Sequence, residues 1–137
     1  MKNLSIVVSL MISSLLFIIC SCSTSSSTSS GTPGDITKNL WKYIEKNDFD
    51  AILKMMDTGG KEMDEDYKGK LQALVEASSK EIENKGGIKS MEVVNEDIDE
   101  EGKTAEVELK ITYGNGDIHN ERANLVNVNG KWMFKMK

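Results

Sequence analysis

The sequence predicts an α+β domain in which helices come first and an antiparallel sheet follows. Two observations carry that expectation. Apolar residues recur with a helical period as far as Asn84 and with a period of two beyond Gly87. The Asn-Gly pairs Asn115-Gly116 and Asn129-Gly130 then punctuate the second part as tight turns between strands.

The helical part divides into three. From Asp35, which supplies an N-cap, Ile36, Leu40, Tyr43 and Ile44 fall at i, i+4, i+7 and i+8, one face of a helix. The stretch "KNDFDAILKMM" restarts the pattern with Asn47 or Asp48 as cap and with Phe49, Ile52, Leu53 and Met56 on one side, and "DTGG" stops it. A third, long helix runs from about Glu62 to Asn84, with Met63, Tyr67, Leu71, Leu74, Ser78 and Ile82 in one stripe. At 1.5 Å per residue it spans about 30 Å, enough to lie across a whole sheet.

Four strands follow. The first is "IKSMEVV", β-branched and placed after two glycines. The clearest is "TAEVELKITY", where Ala105, Val107, Leu109, Ile111 and Tyr113 point one way and the intervening polar residues the other. The third, Ile118 to Val128, alternates less regularly, as a bulge would produce. The last is "KWMFKMK", with Trp132, Phe134 and Met136 on a shared face.

Composition narrows the function classes. Hydrophobic residues make up 39% and charged ones 28% of 137 residues, too apolar for a disordered chain. The formal net charge is -5 and no Lys/Arg run occurs, so no nucleic-acid partner is expected. Cys20 and Cys22 are the only cysteines, which leaves the globular part without a disulfide, a Cys-ligated zinc or a thiol nucleophile. No phosphate-cradling glycine loop, Ser-His-Asp arrangement or His-rich spacing is present, so neither cofactor nor metal is expected.

The N-terminus reads as an address. Lys2 precedes an uncharged run, Ile6 to Ile19, of signal-peptide length, and "IICSC" follows. This boundary resembles the lipobox of bacterial lipoproteins, in which a small residue precedes the cysteine that receives lipid. Ser21 stands before Cys22, whereas bulky Ile19 stands before Cys20, so Cys22 is the lipidation residue that the resemblance implies. A plain signal peptide or an uncleaved anchor helix is the alternative. The run "STSSSTSSGTPG" has nothing apolar to bury and forms a tether reaching roughly 20 Å. The expected organisation is therefore a signal peptide over 1–21, lipidated Cys22 with its tether over 22–34, and the folded domain over 35–137. In Bacteroides-type lipoproteins, surface export is associated with acidic residues directly after the lipidated cysteine. None occurs here before Asp35, which implies an outer-membrane lipoprotein facing the periplasm.

One motif invites a metal. Asp97, Asp99, Glu101, Gly102 and Glu108 nearly match positions one, three, five, six and twelve of a calcium loop. Such a loop needs helices on both sides, yet period-two sequence runs through Glu108. The motif is read instead as a hairpin with an acidic tip, Asp99 to Gly102.

Other reactive residues have ordinary explanations. His119, the single histidine, sits beside Asp117, Glu121 and Arg122 as exposed ion-pairing surface. Tyr43, Tyr67 and Tyr113 lie on apolar stripes as core or pocket wall. Asp64, Glu65 and Asp66 complement a helix dipole in its first turn. Met55, Met56, Met133 and Met136 fill core.

The segments "NDFDAI", "GGIKSMEV", "GKTAEVELKITYGNGD" and "VNGKWMFK", in this order, resemble the small lipoprotein domains of unknown function of Bacteroides-type bacteria, within the cystatin-like, nuclear-transport-factor-two-like superfamily. The resemblance covers Asp35 to Lys137. It implies two short helices and one long one packed on a bent antiparallel four-stranded sheet that wraps the long helix into a cone. The open end of such a cone can be a pocket. The resembled family has no assigned site, so no functional residue carries over. The expectation is a membrane-anchored, non-catalytic envelope module that binds a small molecule, peptide or partner protein. The alternatives are an isomerase- or dehydratase-like enzyme with a pocket tyrosine and carboxylate, or an architectural domain dimerising through its sheet face.

Overall fold

The computed structural model describes residues 31–136. The expected signal peptide, Cys22 and the Ser/Thr run to Ser30 lie outside the described residues. The first helix, α1, spans Pro33–Glu45 and starts inside the stretch assigned to the tether. Its N-cap is Thr32: the Thr32 hydroxyl accepts from the Asp35 amide at 3.2 Å and the Asp35 carboxylate accepts from the Thr32 amide at 3.4 Å. Asp35 therefore sits at the third helical position of a capping box. Pro33 opens the helix because its missing N–H falls where no intrahelical bond is made. Pro33 and Gly34 are buried, so the folded unit begins earlier than 35.

The end of α1 is a Schellman turn. Asn47 takes φ +54°, its amide bonds to the Ile44 carbonyl at 3.0 Å, and the Asp48 amide bonds to that of Tyr43 at 2.9 Å. Asp48, rather than Asn47, caps α2 (Phe49–Leu53) by accepting from the Ala51 amide at 3.1 Å. The chain then leaves the helix, and Met56–Asp57 forms a short strand, β1. The expected helical placement of Met56 is thereby corrected, since two residues of strand carry no period to read.

The long helix, α3, spans Glu65–Asn84 and is capped by Asp64, with Glu65 and Asp66 in its first turn. Gly86 at φ +83° ends it in a second Schellman turn, with the Gly87 amide on the Ile82 carbonyl at 2.9 Å. Four longer strands follow: β2 (Ile88–Ile98), β3 (Thr104–Tyr113), β4 (Ile118–Val128) and β5 (Lys131–Lys135). The sheet has five strands in the order β1-β5-β4-β3-β2, and β1 pairs with β5 in parallel. The expected four-stranded antiparallel meander is thus extended by one parallel edge strand. The register irregularities lie in β2, at Ile88/Ser90 and Val93/Asn95, while β3 and β4 pair without a shift. The uneven alternation of β4 has another origin: His119 and Glu121, polar residues, occupy the face that the helices cover.

Asn129 and Gly130 both take positive φ, as a two-residue hairpin turn requires. In the other Asn-Gly pair only Gly116 does, at φ +94°. Asn115 serves by bonding: its side chain accepts from the Asp117 amide at 2.9 Å.

Alternate residues of β3 form the floor of the core. Val107, with Leu125 and Phe134, packs under Ile36; Leu109, Ile111 and Tyr113 pack under Ile82, Trp41 and Ile44. The helix lying on the sheet is α1, not the long helix as its length suggested. α3 packs on α1 and joins the sheet's apolar cluster through Ile82. Its expected stripe is only partly used, for Val75 and Ile82 are buried while Leu74 is 63% and Tyr67 41% exposed. The seat of α1 is close: the Gly34 amide donates to the Glu96 carboxylate of β2 at 2.7 Å, and Val93 lies against the same glycine. At the other end of α1, the Glu45 carboxylate accepts from the Ile88 amide at 2.8 Å, which ties the start of β2 to the helix.

The candidate ligand cleft

Because α3 leans on α1 and meets the sheet near its own C-terminal end, its N-terminal half stands beside a hollow. This cavity of about 650 Å³ is bounded by Leu40 of α1, Met56 of β1, Tyr67 of α3, Arg122 and Asn124 of β4, and the Phe134–Met136 segment. A neighbouring hollow of about 470 Å³ shares Tyr67, Lys135 and Met136 and continues past Met63 and Lys61. Together they make a half-open cleft, apolar and aromatic at Leu40, Met56, Tyr67, Phe134 and Met136, with Lys135 at its rim. Asp57, Glu62 and Asp64 stand beside Lys61 in the outer hollow. The size falls within the usual range of small-molecule sites. A smaller hollow of about 290 Å³ lies between α1, α2 and β5, against Tyr43 and Trp132.

The residues singled out by sequence do not converge. Tyr43 lines the small hollow, Tyr67 the cleft, and Tyr113 is buried beneath the helices. Burial pushes the Tyr113 hydroxyl above its ordinary pKa, partly opposed by the Lys85 ammonium 4.8 Å from the ring centre. Lys85 is itself raised, chiefly by its hydrogen bond to Glu81 at 2.7 Å. Among the described residues, none of the three tyrosines shares a hydrogen bond with a carboxylate, the pairing an oxyanion-hole enzyme of the isomerase kind uses.

His119 is exposed and meets Glu121, as its setting in the sequence predicts. It pairs in register with buried Ile111 and so lies on the helix side of the sheet, with its ring 5.9 Å from Trp41 and Nε2 3.0 Å from Glu121. Arg122 points to the opposite face, where it meets Glu106 at 3.3 Å and Glu108 at 3.7 Å. The alternation of a strand separates neighbours in sequence onto two faces.

The acidic loop is a hairpin tip. The Asp99 carboxylate accepts from the amides of Lys103 at 2.6 Å and Thr104 at 3.1 Å, and from the Thr104 hydroxyl at 2.9 Å. The Thr104 amide bond, foremost, holds the Asp99 carboxyl below the usual carboxylate range. Glu108 sits mid-strand on the face bearing Arg122. Asp99 and Glu108 are thus committed to different partners, and among the described residues no cluster of three metal-ligating side chains forms. No described helix is long and apolar enough to cross a membrane.

The cleft itself was not foreseen as a unit. Met56 and Met136 read in the sequence as core filling, because residues packed on one side only have the same composition as residues packed all round. The available signal was Tyr67, whose stripe passes beside the acidic turn at Asp64–Asp66 and beside Gly69.

Comparison with known proteins agrees with this architecture. A family model described as Domain of unknown function (DUF4878) matches residues 25–135. The chain is similar in fold to a crystal structure from Campylobacter jejuni named as a candidate NTF2-like transpeptidase. The TM-score is 0.70 at 19% identity, over 78% of this chain and 100% of that one. It is also similar to the solution structure of a SEC-C motif-containing protein from Rhodopseudomonas palustris, with a TM-score of 0.51 and 16% identity over 80% and 79% of the two chains. No curated protein matches. These identities carry the fold, an NTF2-like one, and nothing of activity.

Proposed function

We propose that this chain, which belongs to the DUF4878 family of domains of unknown function, is a lipid-tethered, non-catalytic binding module of the cell envelope. Its ligand is taken into the cleft beside α3. The observation that carries the reading is the cleft's lining: Leu40, Met56, Tyr67, Phe134 and Met136 leave apolar surface open to a ligand, with the Lys135 cation at the rim. That combination suits a small molecule with an apolar body and an anionic end. Supporting the tether are Lys2, the uncharged run to Ile19, and Ser21 before Cys22.

Two experiments test the two halves. Titration of 8-anilinonaphthalene-1-sulfonate, an apolar anion, into the chain from Ser23 onward is expected to give saturable binding of one molecule. Tyr67→Ala should weaken it about fivefold, the loss of about 1 kcal/mol of aromatic contact. Non-saturable binding, or binding indifferent to Tyr67→Ala, refutes the cleft. For the tether, Cys22→Ala should release the protein from membranes or leave an uncleaved precursor, and normal lipid labelling of that variant refutes the assignment.

A further inference from the structure

β4 is eleven residues long, whereas β5 has five and pairs only with Leu125 to Val128. The segment from Ile118 to Ala123 therefore has β3 on one edge and no strand on the other. Which backbone groups face that open edge follows from parity. The Asn127 amide donates to the Lys103 carbonyl of the β2–β3 turn, and the Asp117 carbonyl accepts from Tyr113 at the foot of β3. Odd-numbered residues of β4 thus bond towards β3. The N–H and C=O groups of Ile118, Asn120 and Arg122 point the other way, beyond the reach of the β5 ladder, which begins at the Leu125–Phe134 pair.

This edge is unlike the sheet's other long one. β2 is interrupted by two register irregularities, which blunt pairing. The open part of β4 is unbulged and holds neither proline nor lysine, and Ile118 on it is 58% exposed. Its guards are the ionisable residues His119 and Glu121 on the helix face and Arg122 on the other.

We infer that this edge pairs antiparallel with β4 of a second copy of the chain about a two-fold axis at Asn120. Side-chain complementarity selects both occupant and register. Only even-numbered residues can form the hydrogen-bonded pairs, so the axis falls on residue 120, 121 or 122. An axis at 121 sets Glu121 against itself, and one at 122 sets Arg122 against itself. An axis at 120 sets His119 opposite Glu121 twice, in the closer non-hydrogen-bonded pairs, and lays Ile118 along the Arg122 stem. The helix-face guard that repels other strands becomes complementary in this one alignment. The interface is small and of the weak class, populated at high protein concentration.

The test is sedimentation equilibrium on the chain from Ser23 onward, which contains every element and both apolar clusters described above. A monomer–dimer equilibrium is expected below about 1 mM. His119→Glu sets carboxylates opposite one another and Glu121→Lys removes the carboxylate opposite each His119; each should weaken self-association about tenfold, from two lost or unfavourable pairs. An equimolar mixture of these two variants pairs Glu with Lys and should restore association, which also shows both to be folded. Dimers trapped as a disulfide by Asn120→Cys, and not by Lys110→Cys on β3, confirm the axis. A protein monomeric at 1 mM, variants that self-associate undiminished, a mixture that stays monomeric, or equal trapping at both cysteines each overturn the inference.

Discussion

Replacing Gly34 by alanine tests the seating of α1 on the sheet. A Cβ built there lies 2.7 Å from the Glu96 carboxylate oxygen and 2.8 Å from a Val93 methyl, both inside contact distance. Glu96 can swing away, but doing so strains or breaks its 2.7 Å bond to the Gly34 amide, and Val93 is packed against the core. Overpacking costs about 1–3 kcal/mol, and a lost hydrogen bond to a charged group about 1.5–3 kcal/mol. Against this, alanine gains at most about 1 kcal/mol over glycine within a helix. The balance is a loss of about 2 kcal/mol, which lowers the urea midpoint by roughly 1 M. Equilibrium urea unfolding followed by Trp41 and Trp132 fluorescence measures it. Val93→Ala combined with Gly34→Ala should cost less than the sum of the two, because the cavity accepts the new methyl. A Gly34→Ala protein as stable as the parent, or additive costs in the double variant, refutes the close approach.

Other glycines give contrasting expectations. Gly69 stands inside α3 with nothing within 4 Å of an added Cβ, so Gly69→Ala should stabilise by up to about 1 kcal/mol in the same unfolding assay. Gly114 faces the Gly86 backbone: a Cβ there would collide with the Gly86 carbonyl oxygen and lie 2.8 Å from its carbon. Backbone cannot step aside as a side chain can, so Gly114→Ala should cost about 3 kcal/mol or more and separate the α3–β2 junction from the β3–β4 turn, read by amide exchange at Asn115. Asp99 gives a pH dependence. Its folded pKa is depressed, so its contribution is present above the ordinary carboxylate value of about 3.9 and is lost as pH falls through the lower folded value. Acid unfolding of Asp99→Asn should therefore show a shallower loss below about pH 4 than the parent, whereas identical profiles would contradict the three-bond cap.

Much of this fold was legible in the chain. The period change at Gly86-Gly87 marked the helix-to-sheet boundary, and the strict alternation of "TAEVELKITY" named the strand that supplies the core floor. Caps were legible only to within a few residues, because several neighbouring side chains carry an acceptor. Asp48 was one of two candidates, Asp35 lies three places inside its helix, and Asp64 caps α3 instead of lying in its first turn. Three features were not legible. Met56–Asp57 is too short to show a period, and its partner β5 is distant in sequence. The exposure of Leu74 and Tyr67 depends on where α3 docks, which no local pattern encodes. The cleft depends on both, since it is the space left between α3 and the strands around β5. The exposed pairing of His119 was legible, whereas its face was not: parity along β4 decides it, and polar residues on the helix side hide the alternation.

The parallel pairing of β1 with β5 has a bearing on how the domain is made. Its fifth strand, the last to leave the ribosome of those described, slots between one built early and one built just before. A nascent chain stalled short of Lys131 keeps its helices and a three-stranded remnant, but β1 has no neighbour and the floor beneath Ile36 lacks Phe134. Closure of the sheet therefore waits for β5, and loss of that one short strand removes both the pairing of β1 and part of the core floor.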